Sequence, residues 1–212
     1  ARLEAGQAQQ ALQVARQLRR YRPDEPGYYQ LEARILLELG QPEGAATVAD
    51  AGLQREPKNP VPLRYVRALA RERMGDHEAM ETDIRAILQQ DPDNADAYNF
   101  LGFSLAERGV RLQEALRLIR KANELSPDQA YIIDSLGWVH YRLGNLARAQ
   151  RLLERAAELS GNDAEIYLHL GVVRAARGQE AAAREAWQRG LEHAEEGGDL
   201  FRRLRQRLGE GS

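Results

Sequence analysis

Tyr131, Asp134, Trp138 and Tyr141 follow one another at intervals of three, four and three residues, with Arg142 alongside. On a helix of 3.6 residues per turn those intervals put the first four side chains on one face. Aromatic rings with a carboxylate and a guanidinium supply contact area, hydrogen bonds and charge, which is the chemistry of non-covalent recognition. Asn99 and Phe103 stand 35 residues before Asp134 and Trp138, and Tyr65 stands 34 before Asn99. The pattern is therefore spread along the chain at a fixed interval.

Catalytic chemistry has no comparable pattern. The chain has no cysteine, which removes thiolate metal sites, disulfides and cysteine nucleophiles. Its four histidines, His77, His140, His169 and His193, make no pair at i, i+4, and are expected to be structural or exposed. There is no HExxH, no phosphate-cradling glycine loop and no nucleophile elbow. The expectation is a protein that is not an enzyme and needs no metal or cofactor. A formal net charge of −2, with Lys58 and Lys121 the only lysines, argues against nucleic acid as a partner. No run of 18 apolar residues suggests insertion into a membrane.

The elements that must carry these residues follow from glycine. Gly6, Gly40, Gly75, Gly109, Gly144 and Gly178 recur at gaps of 34 or 35 residues, and Pro23, Pro57, Pro92 and Pro127 keep the same beat. Small residues at Ala11, Ala45, Ala115, Ala149 and Ala183 form a third series. Ala, Leu, Arg, Glu and Gln dominate between the breakers, so each period reads as two helices. The glycines fall where a first helix must stop. The prolines fall where a second helix ends, and the Asp91 to Asn94 and Ser126 to Asp128 segments are expected to cap the next one. Gly102, Gly137, Gly171 and Ala33 are small where a first helix crosses its partner.

Tyr98, Leu101-Gly102, Leu105, Gly109, Ala115, Ile119, Ala122 and Pro127 resemble the tetratricopeptide repeat, and the units after them repeat the spacing. The resemblance implies an all-α fold, a right-handed superhelix, or α-solenoid, of antiparallel helix pairs. On this register the units run 26–60, 61–94, 95–129, 130–163 and 164–197. Residues 1–25 match only the second half of a repeat, so the chain is expected to come from a longer array. Its unpaired first helix is expected to be displaced or paired with another molecule, self-association included. Residues 198–212, with Leu200, Phe201, Leu204 and Leu208 on one face, are expected to form a capping helix.

In such repeats the first helices line the concave side, which makes Tyr65, Asn99, Phe103, Tyr131, Asp134, Trp138, Tyr141 and Arg142 the expected partner-binding residues, centred on the fourth unit. Trp187 is assigned to the core. Members that clamp a carboxyl terminus use lysine, arginine and asparagine at these positions; Arg34, Asn99 and Arg142 are present here, but the lysines are not. The segments Asn94 to Gly109 and Ile133 to Gly144 resemble proteobacterial tetratricopeptide lipoproteins of the outer membrane, some of which deliver substrates to carboxyl-terminal processing proteases. That resemblance implies an adaptor for a protein or peptide client, with such a protease and its substrates as partners. It also implies a periplasmic, outer-membrane-anchored full-length protein with a lipidated N-terminus and further repeats before Ala1. A structural component of an envelope or secretion complex and a cytoplasmic regulator are the alternatives.

Overall fold

The computed structural model describes residues 5–209, and all regular structure among them is helical. Contacts divide the chain into two compact units, Ala1–Ala97 and Tyr98–Ser212.

The first unit holds α1 (Ala5–Tyr21), α2 (Pro26–Glu38), α3 (Pro42–Leu53), α4 (Val61–Met74) and α5 (His77–Gln90), and ends in the first turn of α6 (Ala95–Arg108). Consecutive helices pack on one another, and α2 also meets α4. Leu12, Ala15, Ala33, Leu36, Ala45, Ala49 and Val66 form a common core. α1 is not displaced: it buries Ala8, Leu12 and Ala15, and Arg16 and Arg19 both bond Glu32 on α2, at 3.2 and 2.6 Å. Val14 and Tyr21 on the same helix stay exposed. Gly75, at φ +76°, closes α4 in the left-handed conformation that a Cβ would disfavour.

The second unit continues α6 and adds α7 (Leu112–Leu125), α8 (Ala130–Arg142), α9 (Leu146–Ser160), α10 (Ala164–Ala176), α11 (Glu180–His193) and α12 (Asp199–Leu208). The close crossings expected at small residues are present. A Cβ on Gly102 would lie 2.5 Å from Ile119 and one on Gly137 2.7 Å from Leu153, while one on Gly171 would collide with the Trp187 ring. Trp187 is buried, and its Nε1 donates to the Leu168 carbonyl at 3.3 Å. α12 packs on α11 and α10 with Leu204 and Leu208 buried and its arginines outward, the arrangement of a cap. Residues 210–212 of the expected cap lie outside the described residues.

One expected helix cap differs. Asn94 accepts from the Ala97 amide at 2.9 Å, as a cap should. In the corresponding segment before α8, Asp128 takes φ +59°, Gln129 becomes the cap position, and no side chain caps the helix. The Asp128 carboxylate lies instead 3.7 Å from Arg155.

Candidate functional site

Three helices of the second unit, α6, α8 and α10, bring most of the expected residues together. One helical turn separates each member from the next along α6 (Asn99, Phe103, Glu107), and Tyr131, Asp134, Trp138 and Tyr141 form the stripe on α8. On α10 the matching pair is Glu165 and His169.

His169 is the hub. It is 1% exposed, and its Nδ1 lies 2.9 and 3.0 Å from the two Asp134 carboxylate oxygens. Its ring stacks on Trp138, with centroids 4.2 Å apart and an interplanar angle of 22°, and stands 6.1 Å from Phe103. Trp138 in turn meets Tyr141 at 4.9 Å. Burial works against a charge on the imidazole, but Asp134, with Glu165 and Glu107 behind it, outweighs that and holds the pKa above its ordinary value. With Nδ1 turned to Asp134, Nε2 has no partner.

Nor do the Trp138 Nε1 and the Asn99 Oδ1, although Trp138 and Asn99 are nine-tenths buried. Three polar atoms on one cluster are thus withdrawn from water without compensation, a cost of roughly 1–3 kcal/mol each. Tyr131 is 42% exposed, and Phe103 and Tyr141 are half-buried, so the cluster reaches the surface. Glu165 opens to solvent at the start of α10. Desolvation of its carboxyl, and Asp134 nearby, push its pKa up, while His169 and Arg203 pull the other way.

Arg142 does not join the cluster. Its guanidinium donates to the Glu107 carbonyl at the end of α6 and fills the space over Gly109, where a Cβ would collide with it. Gly109 sits at φ +70°, so only glycine suits both its backbone and that guanidinium. Arg142 thus answers a helix-end carbonyl with one of its guanidinium N–H groups.

Tyr65 lies in the first unit, apart from the rest. It lines a pocket of about 360 Å³ with Arg34, Val61, Leu69, Asn94 and Asp96. Burial, and Asp96 beside it, push its phenol up to about 12. Arg34 is exposed at this pocket.

Sequence reasoning left His169 among the structural histidines because the four fall at different places in different repeats and make no i, i+4 pair. The usable signal is that His169 stands 35 residues after Asp134, one period on, and residues one period apart are neighbours on adjacent first helices. His140 is structural: burial first, then Arg148 and Arg120, push its pKa down to about 4. Among the described residues no group of three histidine, cysteine or acidic side chains could hold a metal, and no helix is long and apolar enough to cross a membrane.

Family models of the tetratricopeptide repeat match residues 2–71, and residues 65–130 and 135–203. A TPR repeat-containing protein of Pseudomonas aeruginosa, PA4667, is 40% identical over 149 residues, which are 68% of this chain and 25% of that protein. The chain therefore spans about a quarter of that relative. Among solved structures, a thermophilic TPR protein of Thermus thermophilus, TTC0263, superposes with a TM-score of 0.77 at 21% identity, over 87% of this chain and 99% of that one. MamA of Desulfovibrio magneticus gives 0.63 at 20% identity, over 79% and 93%.

Proposed function

Because this chain belongs to the tetratricopeptide repeat family, whose fold generally mediates protein–protein contact, we propose that it is a protein-binding module that takes a client on the α6–α8–α10 face of its second unit. The carrying observation is the trio of buried, unpaired polar atoms on Asn99, Trp138 and His169 beneath the partly exposed Phe103, Tyr131 and Tyr141. A fold with no use for such atoms would replace them with apolar groups at no loss. A partner backbone, which carries both donors and acceptors, would satisfy them once the rim side chains above them move aside, and the aromatic rims supply area at low entropic cost.

The specific form of this reading is an adaptor that delivers clients to a carboxyl-terminal processing protease in the periplasm, from a full-length protein held at the outer membrane. The likeness of the Asn94 to Gly109 and Ile133 to Gly144 segments to outer-membrane lipoproteins supports it.

The test is a pull-down from an envelope extract of its own organism, comparing the wild-type chain with Tyr131→Ala/Trp138→Phe, read by mass spectrometry. The double variant keeps a ring in the buried stack and should melt like the wild type. Clients recovered by the wild type and lost from the variant support the face, and a processing protease among them supports the adaptor role. Equal recovery by both chains would remove the face from the binding site, and capture of fixed envelope-machine components alone would favour a scaffold.

A further inference from the structure

The same face carries a charge pattern that narrows its ligand. Glu107 lies one helical turn beyond Phe103 on α6, and Glu165 lies one turn before His169 on α10, so both carboxylates flank the aromatic cluster. Asp134 sits inside it against His169. Three carboxylates on three successive first helices thus gather around one imidazole, which supplies at most one positive charge.

Neighbouring cations do not make up the difference. Arg142 donates to the backbone carbonyl of Glu107, and Arg203 of α12, though it faces Glu165, makes no ion pair with it. The carboxylates of Glu107 and Glu165 make no hydrogen bond or ion pair with any described residue, and both side chains are exposed. The buried carboxylates Glu32 and Asp83, by contrast, are each met by two arginines, Arg16 and Arg19 in one case and Arg67 and Arg71 in the other. Aromatic faces beside unanswered carboxylates attract a cation through the ring quadrupole and through charge together.

We infer that the α6–α8–α10 face takes an extended peptide segment carrying a basic side chain, which sits against Phe103, Trp138 and Tyr141 and pairs with Glu107 and Glu165. Side-chain movement that opens the buried Trp138 Nε1–H would let it donate to a backbone carbonyl of that segment, and the Asn99 Oδ1 would then accept from a backbone N–H. An acidic segment is disfavoured, because its charge would face Asp134, Glu107 and Glu165 at once. This inference rests on the binding face proposed above.

The experiment titrates the whole chain with three blocked peptides of about twelve residues, N-acetylated and C-amidated so that no terminal charge contributes. All share an alanine, serine and glycine backbone with one leucine; one carries two arginines, one two glutamates and one neither. Binding is read by calorimetry and by tryptophan fluorescence. The arginine peptide is expected to bind about tenfold more tightly than the glutamate peptide, with an advantage that shrinks as salt rises. Glu165→Gln and Glu107→Gln, both at exposed positions, should each weaken the arginine peptide several-fold while leaving the melting curve unchanged.

Equal affinity for all three peptides, a preference for the glutamate peptide, or no binding of the arginine peptide at about millimolar concentration overturns the inference. If the neutral or acidic peptide binds and Trp138→Phe weakens it, the face remains a binding site and only the basic preference falls. If any peptide binds with no sensitivity to Trp138→Phe or to Glu165→Gln, the binding face itself falls.

Discussion

In the first unit the buried carboxylates Glu32 and Asp83 are each met by two arginines, whereas in the second unit buried polar atoms of Asn99, Trp138, His140, His169 and Arg174 have no partner. None of the unpaired buried side-chain atoms among the described residues belongs to the first unit. Both units are built from the same helix pairs on the same period, so the contrast does not arise from the fold. It arises from which residues occupy equivalent positions. Asp83 stands where other second helices carry Val48, Leu118, Leu152 or Ala186, and Arg67 and Arg71 come with it to complete a network that also takes in Asp50. Burial opposes the Arg67 charge, but Asp83 and Asp50 hold its pKa above the ordinary value. The first unit answers its buried carboxylates internally, and the second leaves buried polar atoms unanswered.

The largest expected effect tests both halves of that contrast. Asp83→Ala leaves Arg67, 18% exposed, with Asp50 as its remaining carboxylate, and Arg71, 21% exposed, with the Ala79 carbonyl, and should cost about 3 kcal/mol in urea unfolding. Trp138→Phe removes an N–H that bonds nothing and keeps a ring against His169, so it should change stability by less than about 1 kcal/mol. If the two substitutions cost the same, the polar atoms of the second unit are as firmly used as those of the first, and the comparison fails.

A smaller effect is expected from pH, and it has two arms. His140 has its pKa pushed below the unfolded value of about 6.5, to about 4, so its neutral form favours folding; that contribution is lost as pH falls from about 6.5 toward 4. His169 is shifted the other way. Its contribution is complete below about 6.5 and is lost as pH rises through its raised folded value. The urea midpoint of the second unit should therefore pass through a maximum, with His140→Leu flattening the acid arm and His169→Gln the alkaline arm. A profile that keeps both arms in both variants would assign the pH dependence to other groups.

The fold was legible because close crossings and helix ends demand glycine, alanine and proline at fixed places, and those residues announce themselves. The positions of Asp134, Trp138 and Tyr141 on one face were legible for the same reason, since spacing alone sets them. Burial was not. Whether Trp138 lies open or stacks on His169 depends on what the next repeat places against it, and that is read only by aligning residues one period apart. The same alignment places Arg142 beside Glu107, 35 residues earlier, whose carbonyl it meets. The Asp128 turn escaped because its left-handed backbone and its pairing with Arg155 are settled by tertiary contact.

Arg142 also supplies the smallest test, because the first unit has its counterpart. Arg73, in the last turn of α4, donates to the carbonyl of Leu37 near the end of α2, just as Arg142 in α8 donates to Glu107 at the end of α6. Each arginine donates to a carbonyl near the end of a neighbouring helix, that of Leu37 also accepting from the Gly40 amide at 3.1 Å, and each places a cation where the helix dipole favours one. The surroundings differ, yet the bond is the same, so Arg73→Ala and Arg142→Ala should each cost about 1 kcal/mol and by closely similar amounts. Matching losses in urea unfolding would confine the difference between the units to their buried polar clusters. A loss at Arg142 several times that at Arg73 would mean that the helix-end bond also braces the Trp138–His169 cluster, and that the binding face is held in shape from its rim.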